Sequence, residues 1–178
     1  MDVLSILKRH LGSNPELYET VLLHSRHVMQ KALFLADLHP EFSMDKTFIE
    51  EAALLHDIGV YRTNAPDIHC FGEAPYLCHG FLGREILDKE GLPLHGLVCE
   101  RHTGTGLYLT EILAKKLPLP HRNLVPVSLE EQIICFADKF YSKSQLHLVC
   151  SVEEVRHKLI KYGPEGVQRF DRWCEMFL

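Results

Sequence analysis

The chain has 178 residues, 46% of them hydrophobic and 24% charged, and a formal net charge of −5. That length suits one compact domain with a core of its own, and the composition, with no low-complexity tract longer than a loop, is that of an ordinary soluble protein without sign of disorder. The acidic balance, with lysine and arginine scattered rather than gathered in a stripe, argues against nucleic acid as the main partner. A small anionic substrate stays compatible with it, because a metal site supplies positive charge that composition does not show.

The opening MDVLSILKRHLG has an acid at position 2 and an apolar pattern broken by Lys8, Arg9 and His10. It reads as a short amphipathic helix, not an export signal or a membrane span, so a cytoplasmic protein with no membrane partner is expected. The six cysteines, none in a C-x-x-C pair, are then reduced thiols. Pro15, preceded by Ser13 and Asn14, opens a helix to about Leu38, whose apolar side carries Leu17, Val21, His24, Val28, Ala32, Leu35 and Ala36. A second helix over 45–57 is stopped by Gly59, a residue suited to the left-handed turn after a helix.

Residues 60–75 predict a long loop, a kind more often functional than idle. A third helix follows Pro75 with His79, Leu82, Ile86 and Leu87, and another runs from Pro93 to the TGTG turn at 103–106. The glycines of that turn read as backbone requirements rather than an anion cradle. A shorter helix at 108–116 and a proline-rich connection come next. SLEE at 128–131 is a capping box opening a helix through Asp138, and SVEE at 151–154 opens the first of two closing helices over 151–177. No long alternating run predicts a sheet, so the expectation is an all-α single domain over 1–178.

One stretch resists a purely structural reading. AALLHDIG, residues 52–59, ends an apolar run with an imidazole and a carboxylate, and an unpaired buried charge costs several kcal/mol. Other ligand-type residues occupy comparable positions: His24 on an apolar helical face, His79 and His102 at helix ends, and Asp138 inside IICFADKF. Taken singly, each histidine reads better as a hydrogen-bonded core or surface residue, and Asp138 as a partner of Lys or Arg. Together they are the ligand set of a divalent or iron site. His24, His56, Asp57 and Asp138 suffice for one ion, and the natural use of His79 and His102 is a second ion, with Asp57 bridging the two. His69, in the long loop, and the remaining histidines read as non-ligands.

The spaced pattern H…HD…H…H…D, with HDIG itself, resembles the HD-domain superfamily of metal-dependent phosphohydrolases, in its six-ligand dinuclear branch, over residues 20–145. HSRHVMQKALFLA resembles the family's HS-x-x-V-x-x-x-A start, which selects His24 over His27. HGFLGREIL, RHTGTG and FADKF resemble its later elements, and the last two are similar to small stand-alone HDIG proteins and to the branch that hydrolyses diadenosine tetraphosphate symmetrically. The resemblance implies a helical bundle whose core holds two ions (iron, manganese, nickel, cobalt or magnesium) on His24, His56, Asp57, His79, His102 and Asp138. It implies attack of a metal-bridged hydroxide on phosphorus, with His56 and Asp57 at the catalytic centre and a small phosphorylated substrate, expected to be a nucleotide. The expected assembly is a monomer or homodimer. The chain departs from the pattern at Val60, where many relatives carry a base, which leaves Arg62 and Lys139 as candidate phosphate contacts. The same ligand set also fits a mixed-valent di-iron oxygenase, and the fold alone fits a non-catalytic metal-binding regulatory module.

Overall fold

Polar caps set the starts of the first three helices in a computed structural model that describes residues 2–160 and 162–178. Asp2 accepts the Ser5 amide at the start of α1 (Val3–Leu11), Asn14 that of Leu17 at the start of α2 (Pro15–Leu38), and Asp45 that of Phe48 at the start of α3 (Lys46–Leu55). The remaining helices are α4 (His79–Lys89), α5 (Pro93–Arg101), α6 (Leu109–Ala114), α7 (Leu129–Asp138), α8 (Val152–Ile160) and α9 (Pro164–Phe177). No described helix is long and apolar enough to cross a membrane.

The apolar side of α2 is buried as its spacing predicts, and it feeds two clusters. Leu17 and Val21 join Leu7, Leu55, Ile58, Val60 and Leu87 in one, whereas Val28, Ala32 and Leu35 join Ile133, Phe136, Phe170 and Trp173 in the other. His24 stands on the same face between Val21 and Val28, so it enters the protein at the junction of the clusters. Helix α3 is divided in the same way, with Ala52 and Ala53 in one cluster and Leu54 and Leu55 in the other. His56 and Asp57 follow directly.

The structure departs from the sequence expectations in four places. The stretch after HDIG is not a structureless loop. It forms a 3-10 turn (Ile58–Arg62) and a small sheet of β1 (Thr63–Ala65), β2 (Cys70–Phe71) and β3 (Ala74–Pro75), in the order β2-β1-β3. Strands β1 and β2 are antiparallel with Asn64 opposite Phe71, and β1 and β3 are parallel with Thr63 opposite Ala74. Strands this short carry no readable alternation.

The second departure is that α3 ends at Leu55, so Asp57 lies outside it with φ −106° and ψ 10°. Third, the SLEE box is only half made. Ser128 Oγ accepts the Glu131 amide, but the Glu131 carboxylate accepts from the Val127 amide instead of that of Ser128. The SVEE box is reciprocal between Ser151 and Glu154.

The fourth departure is the reason for Gly59, which is not a left-handed helix stop, since it lies within the 3-10 turn and its φ is not positive. It is a contact point. A Cβ there would lie 2.2 Å from the His79 carbonyl oxygen and 2.3 Å from the Gly83 amide nitrogen. Only a bare backbone lets α4 approach so closely, and α4 carries His79. Gly59→Ala should therefore push α4 off the 3-10 turn and lower stability in urea denaturation by about 3 kcal/mol, the upper part of the overpacking range. Wild-type stability in that variant would contradict the close-contact account.

Candidate metal centre

Six side chains from five segments converge in the core. His24 (from α2), His56 and Asp57 (after α3) and Asp138 (at the end of α7) form one group, and Asp57, His79 (at the start of α4) and His102 (after α5) form another. Within each group the donor atoms lie within 4.8 Å of one another, and all the residues are buried. Asp57 belongs to both and divides its oxygens between them. Its Oδ2 is 2.9 Å from His56 Nε2 and 3.3 Å from His24 Nε2, while its Oδ1 is 3.4 Å from His102 Nε2 and 3.6 Å from His79 Nε2. Asp138 Oδ1 completes the first group at 2.9 Å from His24 Nε2.

Helix ends aim three of the four rings. His56, His79 and His102 each donate Nδ1–H to the backbone carbonyl three residues earlier, those of Ala53, Tyr76 and Cys99, at 2.7 Å in every case. Ala53 and Cys99 lie in the last turns of α3 and α5, where carbonyls lack an intrahelical partner, and Tyr76 opens the 3-10 turn that leads into α4, its oxygen accepting the His79 amide and ring together. Whenever such a ring is neutral, the proton on Nδ1 leaves Nε2 as a lone pair aimed inward, the tautomer that metal-ligating histidines use.

Ion pairs hold these ends together. Arg101 donates to both Glu131 oxygens at 3.0 Å, tying the end of α5, next to His102, to the start of α7, and buried Glu100 accepts from Arg84 of α4 and from Arg122. Arg169 of α9 donates to the Thr105 and Gly106 carbonyls and so fixes the TGTG turn, where Gly104 and Gly106 have φ of +61° and +90°. Those glycines are present for backbone reasons, as the sequence suggested.

The donors fit metal ions. His79 Nε2 and His102 Nε2 face each other at 3.0 Å, although both rings spend their proton on the Nδ1 side, so two lone pairs oppose each other. Both Asp57 oxygens and His56 Nε2 are buried without an aligned hydrogen bond. Polar atoms in that condition are costly unless a cation satisfies them.

Charge states agree with this. Burial, reinforced by His102, pushes His79 down to about 3, and burial also lowers His102, so both are neutral ligands near pH 7. Burial opposes charging His56 too, but Asp57 and Asp138 outweigh it and hold its pKa up at about 9. Burial alone would raise both aspartates. His56 and Lys143 hold Asp57 well below the usual carboxylate range, and Lys139 and His24 do the same for Asp138.

The two expected phosphate contacts part company. Arg62 is about 40% exposed and pairs with Glu85 at 2.9 Å on the surface, away from the cluster. Lys139 is at the site, 2.7 Å from Asp138 Oδ2, with its Nζ also donating to the His102 carbonyl. The partnership of Asp138 with a lysine, weighed above as a rival to metal ligation, thus coexists with it on the other oxygen. His69 points elsewhere, toward Glu16.

Sequence reasoning passed over Lys143, whose Nζ is 2.6 Å from Asp57 Oδ2. It also passed over Tyr76, stacked on His79 with ring centroids 4.7 Å apart. A second basic residue shortly after the ADK segment was the available signal. Beyond the ligands opens a cavity of about 500 Å³, lined by Tyr76, Leu107, Lys115, Lys139, Lys143 and Leu159 among others. Two cysteines near the ligand segments are buried thiols: Cys99 donates to the Leu55 carbonyl and Cys135 to that of His102, and burial pushes Cys135 up to about 12.

The family model described as the HD domain matches residues 21–143, a span that contains all six converging side chains, and the chain belongs to this family of metal-dependent, hydrolase-type proteins. It is 32% identical over 136 residues to an uncharacterized protein of Methanocaldococcus jannaschii, a match covering 76% of this chain and 70% of that one. It is also similar to two proteins named tRNA (cytidine(56)-2'-O)-methyltransferase. The one from Picrophilus torridus is 33% identical over 72% of this chain, and the one from Thermoplasma volcanium 30% identical over 84%. The chain spans only 33% and 40% of the length of these two. No solved structure matches it significantly.

Two outcomes follow for metal content. Elemental analysis should return about two ions per chain for the wild type, about one for His102→Ala and close to none for Asp57→Asn, whereas equal content in all three would contradict a shared carboxylate. An incoming ion must also displace the His56 proton. Apparent metal affinity should then rise about tenfold per pH unit up to about pH 9 and level off above it, as read by competition with a chelator.

Proposed function

We propose that the chain is a metal-dependent phosphohydrolase acting on a small phosphorylated molecule, with a nucleotide as the leading candidate. The observation that supports this most is the charge balance of the site. The carboxylates of Asp57 and Asp138 are already matched by the ammonium groups of Lys143 and Lys139. The four histidines add no anion, so divalent ions on this ligand set leave the inner end of the cavity strongly positive. Such a place favours a phosphate dianion over a neutral substrate.

His24, His56, Asp57 and Asp138 would hold one ion, and Asp57, His79 and His102 the other. Bound there, the pair would supply a hydroxide near neutral pH and polarise the phosphoryl oxygens. The protein's own groups do the positioning. Asp57 fixes the spacing of the two halves, and the carbonyls of Ala53, Tyr76 and Cys99 lock the rings that face it. Lys139 holds Asp138 Oδ2 and so leaves Oδ1 turned toward His24 and His56. Leu77, Leu107, Leu117 and Leu159 give the outer cavity an apolar wall suited to the organic part of a substrate and to excluding water from the reaction. The methyl transfer named for the two longer relatives belongs to proteins of which this chain spans less than half.

The test is hydrolysis. Purified protein loaded with manganese, iron, cobalt or nickel should release phosphate or a nucleotide from a panel of nucleoside phosphates and dinucleoside polyphosphates, equally in air and under strict anaerobiosis. His56→Ala combined with Asp57→Ala should abolish it. Activity surviving that double change would contradict the mechanism, and turnover that requires oxygen would assign the site to oxygenase chemistry.

A further inference from the structure

The phosphohydrolase reading needs a group to hold the substrate's phosphate, and the usual place for one is closed in this chain. Val60, the residue directly after HDIG, is fully buried in the apolar cluster with Leu55 and Leu87. Arg62 is committed to Glu85 on the surface. Among the described residues, the cations lining the cavity are Lys115, Lys139 and Lys143. Lys115 bonds the Tyr162 carbonyl at the exposed rim, away from the ligands.

Lys139 and Lys143 both sit on carboxylates, but on oxygens of different standing. Asp138 uses Oδ1 toward His24 and His56 and gives Oδ2 to Lys139, so that pair persists when a cation occupies the ligand set. A bond to the His102 carbonyl pins Lys139 further. Lys143 is placed otherwise. It occupies Asp57 Oδ2, an oxygen that also faces His24 and His56, while the other oxygen faces His79 and His102. A cation on either side claims an Asp57 oxygen, and an ammonium cannot share Oδ2 with an ion held by His24 and His56, because like charges at contact distance repel strongly in a low-dielectric interior.

Lys143 has somewhere to go. It lies past the end of α7 in a segment that is neither helix nor strand, and with Tyr76 and Asp138 it forms the partition between the 500 Å³ cavity and a second cavity of about 350 Å³. Its Nζ stands 6.0 Å from the centre of the Tyr76 ring, on the cavity side of the ligands.

We propose that Lys143 is the residue that holds the substrate's phosphate: its ammonium rests on Asp57 until cations claim that carboxylate, then turns into the cavity and pairs with the anion. The inference rests on the phosphohydrolase reading and adds to it a residue from outside the HDIG segment. Lys139, by contrast, acts through Asp138 as a positioning residue.

The test is binding of inorganic phosphate to manganese(II)-loaded protein by titration calorimetry, with manganese content and manganese affinity measured on the same samples. Lys143→Met should keep its manganese, bind it at least as tightly as wild type because a competing cation is gone, and bind phosphate roughly ten- to a hundredfold more weakly. Lys143→Arg should recover most of the phosphate affinity. A second readout needs no variant. In wild type, Lys143 should resist reductive methylation without metal, react once manganese is bound, and be protected again by phosphate, as followed by peptide mass spectrometry.

Undiminished phosphate affinity in Lys143→Met, loss of its manganese, or methylation of Lys143 that ignores manganese would each overturn the assignment while leaving phosphohydrolase activity standing. Wild-type protein that carries manganese yet binds no phosphate and hydrolyses no phosphoester would overturn both.

Discussion

A single carboxylate, fully buried, organises this protein. Moving an ionised aspartate out of water costs several kcal/mol even after relaxation, and a chain keeps one only where the surroundings offset that cost. Around Asp57 the offset comes from five side chains at once: His24 and His56 on one oxygen, His79 and His102 on the other, and Lys143 reaching in from the cavity. Each partner arrives on a different segment, so the segments are tied to one another through that side chain.

Much of the remaining architecture serves to bring backbone to this point. Gly59 removes the side chain that would hold α4 away, Glu100 and Glu131 fasten α5 to its neighbours, and Arg169 clamps the turn that follows His102. The placing of His56, His79 and His102 at helix ends follows from the same economy. A nearby carbonyl with a lone pair to spare accepts the ring proton there, so the backbone that positions the ligand also fixes its tautomer. His24 enters from mid-helix with no such carbonyl, and its Nδ1 has no hydrogen-bond partner. Its aim is set by Asp138, by Asp57 and by the packing of α2.

How far this was legible in the sequence depended on whether the signal was local. The ligand histidines and aspartates stand out because a polar residue in an apolar run is conspicuous, and all six predicted positions converge in the structure. Helix starts with a polar cap or an N-terminal proline were equally plain. Relations between distant segments were not. Gly59 reads as a helix stop, while its reason lies in α4, across the chain. Glu131 reads as half of a local capping box, while its carboxylate turns to Arg101 and the Val127 amide. Arg62 has the right charge near HDIG, yet Glu85 takes it. Lys143 sits between two serines in a segment without periodicity, and its place shortly after the ADK segment was the one hint of a lysine that ends on a buried aspartate. The small sheet escaped for a simpler reason, since strands of two or three residues leave no pattern.

The account stands or falls on Asp57 joining two ions. Anomalous diffraction from crystals of the protein grown with manganese should show two peaks about 3.5–4 Å apart. One should be bounded by His24, His56 and Asp138, the other by His79 and His102, with an Asp57 oxygen on each. A single peak, or two peaks that Asp57 does not join, would contradict it.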